Sequence, residues 1–316
     1  MSSVKNFADE IIENVSKVIV GKEEKIQKIL SVMLTGGHVL LNDVPGVGKT
    51  MLARSLSISI SAEFKRIQCT PDLLPSDVTG LNILDIKSNE FKFRPGPVFS
   101  DILLADEINR TTPRTQSALL EAMGEGQVSI DGTTHKLSKD FFVIATQNPI
   151  EFEGTFPLPE AQLDRFSICL SMGYPDTDSE FKMLRELEHI HPVEIIEPIV
   201  NLEDFSRAKN EIKKVDYSLD IMKYIVSIID ATRKHKDLAL GSSPRGSIFL
   251  MNLSRALAAI KGRDFVIPDD VKFIAPDVLS HRVLLTPEAR LMKRTTREVI
   301  GEILENTEVP MINERE

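Results

Sequence analysis

The sequence predicts an α/β protein in which a three-layer αβα core with a central parallel sheet precedes a small all-helical domain. Five apolar runs lack polar alternation, as strands do when both faces of a parallel sheet are covered, and helical stretches separate most of them. These runs are residues 38–42, 64–69, 101–105, 141–146 and 167–171. From about residue 204 onward only helical periodicity is present. We therefore divide the chain into a core, 1–200, and a helical domain, 201–316.

Two further kinds of element are predicted around the five strands. Two hairpins interrupt the core at residues 81–94 and 127–137, and the second contains Asp131-Gly132, a type I′ turn signal. Amphipathic periodicity and proline or glycine at the ends predict the helices. They cover residues 7–19, 26–34, 217–235 and 244–261, and two more begin at Pro268 and Pro287.

Composition limits the possible classes of protein. A length of 316 residues suggests two domains, and 42% hydrophobic residues suffice for a sizeable core. The net charge of −9 argues against a general nucleic-acid binder. Cys69 and Cys169 give no disulfide framework. Because no run approaches the length of a membrane span and no secretion signal is present, we expect no membrane insertion and a cytoplasmic location.

A phosphate-binding loop is the first chemical feature. It lies between an apolar run and a helical stretch, which is the setting that such a loop requires. Glycines let backbone N–H groups curl around the β- and γ-phosphates of ATP, and the helix N-terminus adds a positive dipole. Lys49 would neutralise phosphate oxygens, and the Thr50 hydroxyl would bind Mg²⁺. The predicted segment is Asp43, Val44, Pro45, Gly46, Val47, Gly48, Lys49, Thr50 and Met51.

The first position of this loop departs from the usual glycine. Asp43 occupies it, and a carboxylate beside a triphosphate would repel it. The amides that surround the phosphates come from about Gly46 onward, and position 43 ends the strand. We therefore expect the Asp43 side chain to point outward and the loop to remain functional.

Polar residues at the ends of two later strands complete the predicted site. Asp106 would hold Mg²⁺ through water, and Glu107 would orient and deprotonate the attacking water. The two acids could instead cap the helix that follows. Asn148 follows the run 141–146 and could bind the γ-phosphate or the water, because ligands bind at the carboxyl ends of parallel strands. Its alternative role is that of a turn residue before a proline.

Several sequence blocks, in their order, make the chain resemble the MoxR family of AAA+ ATPases over roughly residues 15–305. The blocks have the residue types and spacing of the family throughout. They are Phe93–Pro97, Leu104–Arg110, Glu121–Met123, Glu125–Val128, Ala145–Pro149, Leu158–Phe166, Gly241–Arg245 and Leu279–Arg282.

The resemblance implies further site residues. Asn148 matches the sensor 1 residue, and Arg165 matches the arginine finger that reaches the ATP of a neighbouring subunit. Arg110 and Arg114 are nearby candidates for the same interface role. Arg245 matches sensor 2, on the helical lid, which is implied to contact the γ-phosphate of its own subunit.

An adenine-binding segment is also implied. Val20-Gly21-Lys22 resembles the segment before the first strand that lines the adenine pocket in such ATPases, with Val20 and Gly21 as the predicted binding residues; the alternative is a simple turn between two helices. ATP would then be bound by this segment together with the phosphate loop, and Mg²⁺ by Thr50 and Asp106.

The function implied is that of a ring-forming ATPase, expected to be hexameric, which remodels or matures a client with a von Willebrand factor A-domain partner. Both hairpins would then face the central pore; each could equally be decorative. The alternative is a nucleic-acid-stimulated AAA+ motor of a restriction or replication complex, against which the acidic balance argues. A small-molecule kinase and a non-hydrolysing scaffold are weaker alternatives.

Overall fold

A five-stranded parallel sheet forms the centre of the computed structural model, which describes residues 2–149, 154–187 and 192–310. Its strand order is β2-β5-β8-β1-β9, so every predicted apolar run is a strand of this sheet. The described strands are β1 (Val39–Asn42), β2 (Phe64–Gln68), β3 (Gly80–Asp85), β4 (Glu90–Pro95), β5 (Ile102–Asp106), β6 (Gln127–Ile130), β7 (Thr133–Lys136), β8 (Phe142–Gln147), β9 (Ile168–Leu170), β10 (Leu238–Leu240) and β11 (Leu284–Leu285).

Helices cover the sheet and form the C-terminal domain, so the αβα core and helical lid are as predicted. The described α-helices are α1 (Ser2–Ser16), α2 (Glu23–Thr35), α3 (Lys49–Ser59), α4 (Pro75–Thr79), α5 (Pro113–Glu125), α6 (Glu160–Leu163), α7 (Thr177–Leu187), α8 (Leu202–Ile212), α9 (Leu219–Lys234), α10 (Pro244–Ile260), α11 (Pro268–Leu279), α12 (Pro287–Leu291) and α13 (Thr296–Asn306). None of the helices in the described ranges has both the length and the apolar character needed to cross a bilayer.

The two inserted hairpins are antiparallel pairs, β3–β4 and β6–β7. Asp131 and Gly132 both have positive φ, 49° and 81°, as a type I′ turn requires. The hairpins contact each other, because the rings of Phe93 and His135 stack with centroids 4.0 Å apart. Asn82 Nδ2 also donates to Asp131 Oδ2 over 2.7 Å. The hairpins therefore form one joined unit.

The helical domain packs against the outer side of the core. Helix α10 lies along α2, and α11 packs against β9. Lys28 of α2 and Asp277 of α11 form a buried ion pair of 2.8 Å. The domain also contains the antiparallel pair β10–β11, which the helical periodicity did not predict because strands of two and three residues leave no periodic signal.

Candidate active site

The phosphate loop links the carboxyl end of β1 to the N-terminus of α3. Gly46 and Gly48 have φ of 87° and 81°, a left-handed conformation that glycine adopts without strain. Lys49 is the first residue of α3, and its Nζ donates to the carbonyl oxygens of Asp43 at 3.0 Å and Val44 at 3.2 Å. The loop thus combines a helix N-terminus, flexible glycine amides and an ammonium group, which suits a polyphosphate.

The Asp43 carboxylate is directed toward the segment that follows β9. It is 4% exposed, and it accepts hydrogen bonds from Ser171 Oγ at 2.8 Å, from Gly173 N at 3.0 Å and from Met172 N. Lys25 binds the same segment, because its Nζ donates to the carbonyl oxygens of Ser171 and Met172, each at 2.6 Å. The carboxylate therefore has its own set of partners outside the phosphate loop.

Val20 and Gly21 lie next to the phosphate loop, where an adenine pocket was predicted. A Cβ atom at Gly48 would lie 3.5 Å from Cδ1 of Ile19. On the other side, a Cβ at Gly21 would lie 2.4 Å from Ser179 Oγ. The segment therefore lies between the phosphate loop and the start of α7.

Asp106 ends β5 and is held from both neighbouring strands. Its Oδ1 accepts a hydrogen bond of 2.6 Å from the Thr146 hydroxyl of β8, and its Oδ2 pairs with Arg66 of β2 at 2.7 Å. The side chain is 13% exposed. Two donors leave lone pairs on both carboxylate oxygens, and carboxylate and hydroxyl oxygens are Mg²⁺ ligands. Asp106 and Thr50 thus have the donor chemistry that Mg²⁺ requires.

Glu107 has a strained backbone and a side chain that is held by two hydrogen bonds. Its φ of 58° and ψ of 51° are left-handed, which costs a residue other than glycine about 1–2 kcal/mol. The backbone is held by a hydrogen bond of 2.8 Å from its N–H to the Thr146 hydroxyl. Its Oε2 accepts from Gln68 Nε2 at 2.9 Å and from Arg110 at 3.1 Å. The carboxylate is therefore positioned by Gln68 of β2 and by Arg110 in the turn that follows Glu107.

Asn148 lies at the end of β8, the strand between β5 and β1. Asp43 N donates to the Gln147 carbonyl over 3.1 Å, which places Asn148 beside the start of the phosphate loop. The side chain is 6% exposed. The carboxyl ends of β1, β5 and β8, which are adjacent strands, thus bring the phosphate loop, the acidic pair and Asn148 together.

Arg165 lies before β9, at the amino ends of the strands, whereas the phosphate loop lies at their carboxyl ends. We call this side of the sheet the opposite edge. β1 and β9 run parallel with Val39 level with Ile168, and Ser167 N donates to the His38 carbonyl at 2.8 Å. From residue 38 to residue 43 there are five residues along β1, or roughly 16 Å at about 3.3 Å each. Arg165 therefore stands about one strand length from the phosphate loop of its own chain.

The Arg165 side chain rests on α5. Its Nη1 donates to the Leu120 carbonyl at 2.6 Å. A Cβ at Gly124 would lie only 2.6 Å from the same Nη1, so a glycine within the helix leaves room for the guanidinium. Of the other two arginines considered for an interface, Arg110 pairs with Glu107 and Arg114 is exposed at the start of α5.

Arg245 lies at the same edge as Arg165. Its Nη1 is 3.8 Å from Oδ2 of Asp164, and its side chain is 56% exposed. The structure does not bring Arg245 to the phosphate loop of its own subunit, contrary to what the resemblance implied. The reason is that the helical domain docks on β9 and on the segment before it, whereas the phosphate loop follows β1.

Three residues of the site were not predicted. Gln68 and Arg66 of β2 bind Glu107 and Asp106, and Thr146 of β8 binds both acids. Each contact crosses between strands, so it depends on the order of strands in the sheet. For Thr146 the signal in the sequence is a polar residue near the carboxyl end of an apolar run, whereas the β2 run has polar residues at positions 65, 66 and 68 and singles out neither Arg66 nor Gln68.

Comparisons with known proteins agree with this geometry. Residues 38–168 match the model of the ATPase family associated with various cellular activities (AAA), and residues 230–303 match the AAA lid domain. The chain is 52% identical to YeaC of Bacillus subtilis (strain 168) over 300 residues, which are 95% of this chain and 94% of YeaC.

Two further relatives carry descriptions of what they do. The chaperone MoxR1 of Mycobacterium tuberculosis is 39% identical over 311 residues, covering 96% of this chain and 82% of MoxR1. The crystal structure of a protein of Cytophaga hutchinsonii assigned as an ATPase superposes with a TM-score of 0.91 at 40% identity, covering 98% of this chain and 96% of that one.

Proposed function

The chain belongs to the MoxR family of AAA+ ATPases, and from this premise we propose that it binds and hydrolyses ATP. The observation that carries the proposal is the convergence of the phosphate loop, Asp106-Glu107 and Asn148 at the carboxyl ends of three adjacent strands. This is where an open parallel sheet binds its ligand. Val20 and Gly21 would line the adenine pocket.

In the proposed reaction each group has a separate task. Glu107, held by Gln68, accepts the proton of the attacking water. Asn148 orients this water or the γ-phosphate, and Lys49 neutralises the β- and γ-oxygens. Thr50 and Asp106 would hold Mg²⁺, which, when bound, offsets negative charge on the phosphates.

A subunit alone would supply Lys49, but no arginine finger, for the charge that develops on the transferred phosphoryl group. Arg165 and Arg245 lie together at the edge opposite their own phosphate loop. We propose that both reach the ATP of a neighbouring subunit in a ring, which would be hexameric. An arginine supplied in this way contributes about 10³- to 10⁵-fold to hydrolysis.

The joined hairpins are the part best suited to act on another protein. Their exposed apolar side chains include Ile86, which is 90% exposed, and Phe91, which is 73% exposed. In the proposed ring they would face the pore and press on a client. The chaperone name of MoxR1 supports remodelling or maturation of a partner protein, with a von Willebrand factor A-domain protein as the proposed partner. The cytoplasmic location stays a prediction.

The first experiment is ATPase activity per subunit as a function of protein concentration. We expect a rate that rises steeply with assembly and then saturates, because each site needs a neighbour. Glu107→Gln is the matched variant: it should bind ATP and assemble but not turn over. A constant rate down to concentrations at which the protein is monomeric would contradict hydrolysis in a ring, and stimulation by added DNA would favour a nucleic-acid motor.

A further inference from the structure

Arg282, a buried arginine of the lid, donates hydrogen bonds to backbone carbonyls on both sides of Arg165. The Arg282 side chain is 1% exposed. Its Nη2 donates to the carbonyl oxygens of Asp164, at 3.2 Å, and of Phe166, and its Nη1 donates to the Ser167 carbonyl at 3.1 Å. Three carbonyls around Arg165 thus share one guanidinium, whose planar fork holds them in a fixed relation.

The Asp164 carboxylate is the second half of this contact. Its Oδ1 pairs with Arg282 Nε at 2.9 Å, and its Oδ2 accepts from the Ser243 hydroxyl at 3.1 Å. Ser243 is the N-cap of α10, the helix that carries Arg245 in its first turn. The same Oδ2 lies 3.8 Å from Nη1 of Arg245. Asp164 therefore contacts both Ser243, the N-cap of α10, and Arg245 itself.

The Arg282 guanidinium stays charged at neutral pH. Burial lowers the pKa of Arg282 to about 10, while the Asp164 carboxylate opposes that shift. Removing the Asp164 carboxylate is costly, because the charge of the buried Arg282 is then left without compensation. The cluster thus behaves as a fixed joint between the lid and the segment 164–167.

We propose that Asp164 and Arg282 are positioning residues that present Arg165 and Arg245 together, as one preset unit, to the ATP of the neighbouring subunit. The proposal rests on the delivery of these two arginines in trans, proposed above. Its physical basis is that electrostatic stabilisation requires cations placed in advance. A displacement of about 1 Å can lower a rate about 100-fold.

The test uses Asp164→Asn in the full chain, which keeps the side-chain size but removes the charge that binds Arg282. We expect its ATPase rate to fall between 10- and 100-fold while ATP binding stays within twofold. Asp140→Asn is the matched control, since Asp140 also pairs with a cation, Lys209 at 2.9 Å, and with a serine hydroxyl, Ser206 at 3.2 Å. Because these partners belong to α8 and not to the segments that carry Arg165 and Arg245, this variant should retain its rate.

Mixing subunits separates positioning from a structural role. Lys49→Ala subunits cannot hydrolyse ATP but keep intact arginines. In an equal mixture about half of the Asp164→Asn subunits gain an intact donor, so the rate per Asp164→Asn subunit should recover to about half of the wild-type rate. Arg282→Lys, which keeps the charge but loses the fork, should behave in the same way. If Arg282→Lys does not fold, the rate and the recovery of Asp164→Asn alone decide between a positioning and a structural role.

Three outcomes would overturn the proposal. Asp164→Asn could retain the rate of the Asp140→Asn control. It could also lose activity without recovering in the mixture, although Arg165→Ala does recover there; Asp164 would then serve its own site or the fold. If Arg165→Ala also fails to recover, the delivery of arginines in trans is itself wrong, and the positioning role is wrong with it.

Discussion

Replacing Asp43 by glycine, the residue usual at the first position of a phosphate loop, should destabilise this protein. The carboxylate is buried and accepts three hydrogen bonds from residues 171–173. Removing it leaves the N–H groups of Met172 and Gly173 without this partner, which costs about 1–3 kcal/mol each. Glycine adds roughly 0.5–1 kcal/mol of backbone entropy. We therefore expect a loss of about 4 kcal/mol.

Thermal unfolding measures this loss. With about 2.1 cal/mol/K of unfolding entropy per residue, 316 residues convert 4 kcal/mol into a decrease of about 6 °C in Tm, provided that core and lid unfold together. Ser171→Ala is the control; it removes only the hydroxyl donor and should cost about 1 kcal/mol. ATP affinity, measured by fluorescent-nucleotide titration, should not increase.

The opposite result has a clear physical meaning. If the carboxylate faced the phosphates, its removal would relieve a repulsion of about 2–3 kcal/mol per unit charge, at a distance of 6 Å and an effective dielectric constant of 20. Asp43→Gly would then bind ATP at least tenfold more tightly and unfold near the wild-type temperature. Either observation would refute the inference that Asp43 binds the segment after β9.

Three further predictions concern the site and its support. Gln68→Ala should lower kcat about tenfold with ATP affinity unchanged, because Glu107 loses its ordering partner; an unchanged kcat would exclude that role. Thr146→Val should lower kcat at least as much, since the hydroxyl binds both Asp106 and the Glu107 backbone; a Tm loss without a kcat loss would make it purely structural. Burial lowers the pKa of His38 from 6.5 to about 4. The unfolded chain therefore binds an extra proton between these pH values, and stability falls by roughly 3 kcal/mol as pH decreases from 6.5 to 4. Urea unfolding of His38→Gln should show a pH dependence flatter by this amount, and an identical dependence would contradict the assignment.

The fold could be predicted from the sequence because its signals are local. Apolar runs indicated the strands of the sheet, although the run that forms β2 contains polar residues at positions 65, 66 and 68. The Asp131-Gly132 dipeptide indicated the second hairpin, and both residues have positive φ in the structure. The pair β10–β11 was missed, because its pairing depends on how the lid helices fold back. A short strand of this kind is defined by its partner and has too few residues for a pattern of its own.

The residues of the site likewise differ in whether a local sequence signal predicts them. The phosphate loop and the acidic pair are contiguous in sequence, so their chemistry could be recognised there. Gln68 and Thr146 act through contacts across strands, and the sequence does not state which strands are neighbours. The position of Arg245 depends on where the lid docks, and this is decided by contacts such as Arg282 with Asp164, which are 118 residues apart.

Strand β9 lies between the contacts of Asp43 and those of Arg282, and this arrangement makes a final prediction possible. Asp43 holds residues 171–173 at one end of β9, and Arg282 holds residues 164–167 at the other end. The strand between them has only three residues, or about 10 Å, and cannot shift without disturbing one of the two contacts.

Substitutions this far apart usually add within about 0.5 kcal/mol. We expect Asp43→Gly and Asp164→Asn to deviate from additivity by about 1 kcal/mol in the free energy of activation for ATP hydrolysis, measured as a double-mutant cycle on kcat. Additive effects would mean that the phosphate loop and the arginine-bearing segment respond independently, and β9 would then be only a structural strand.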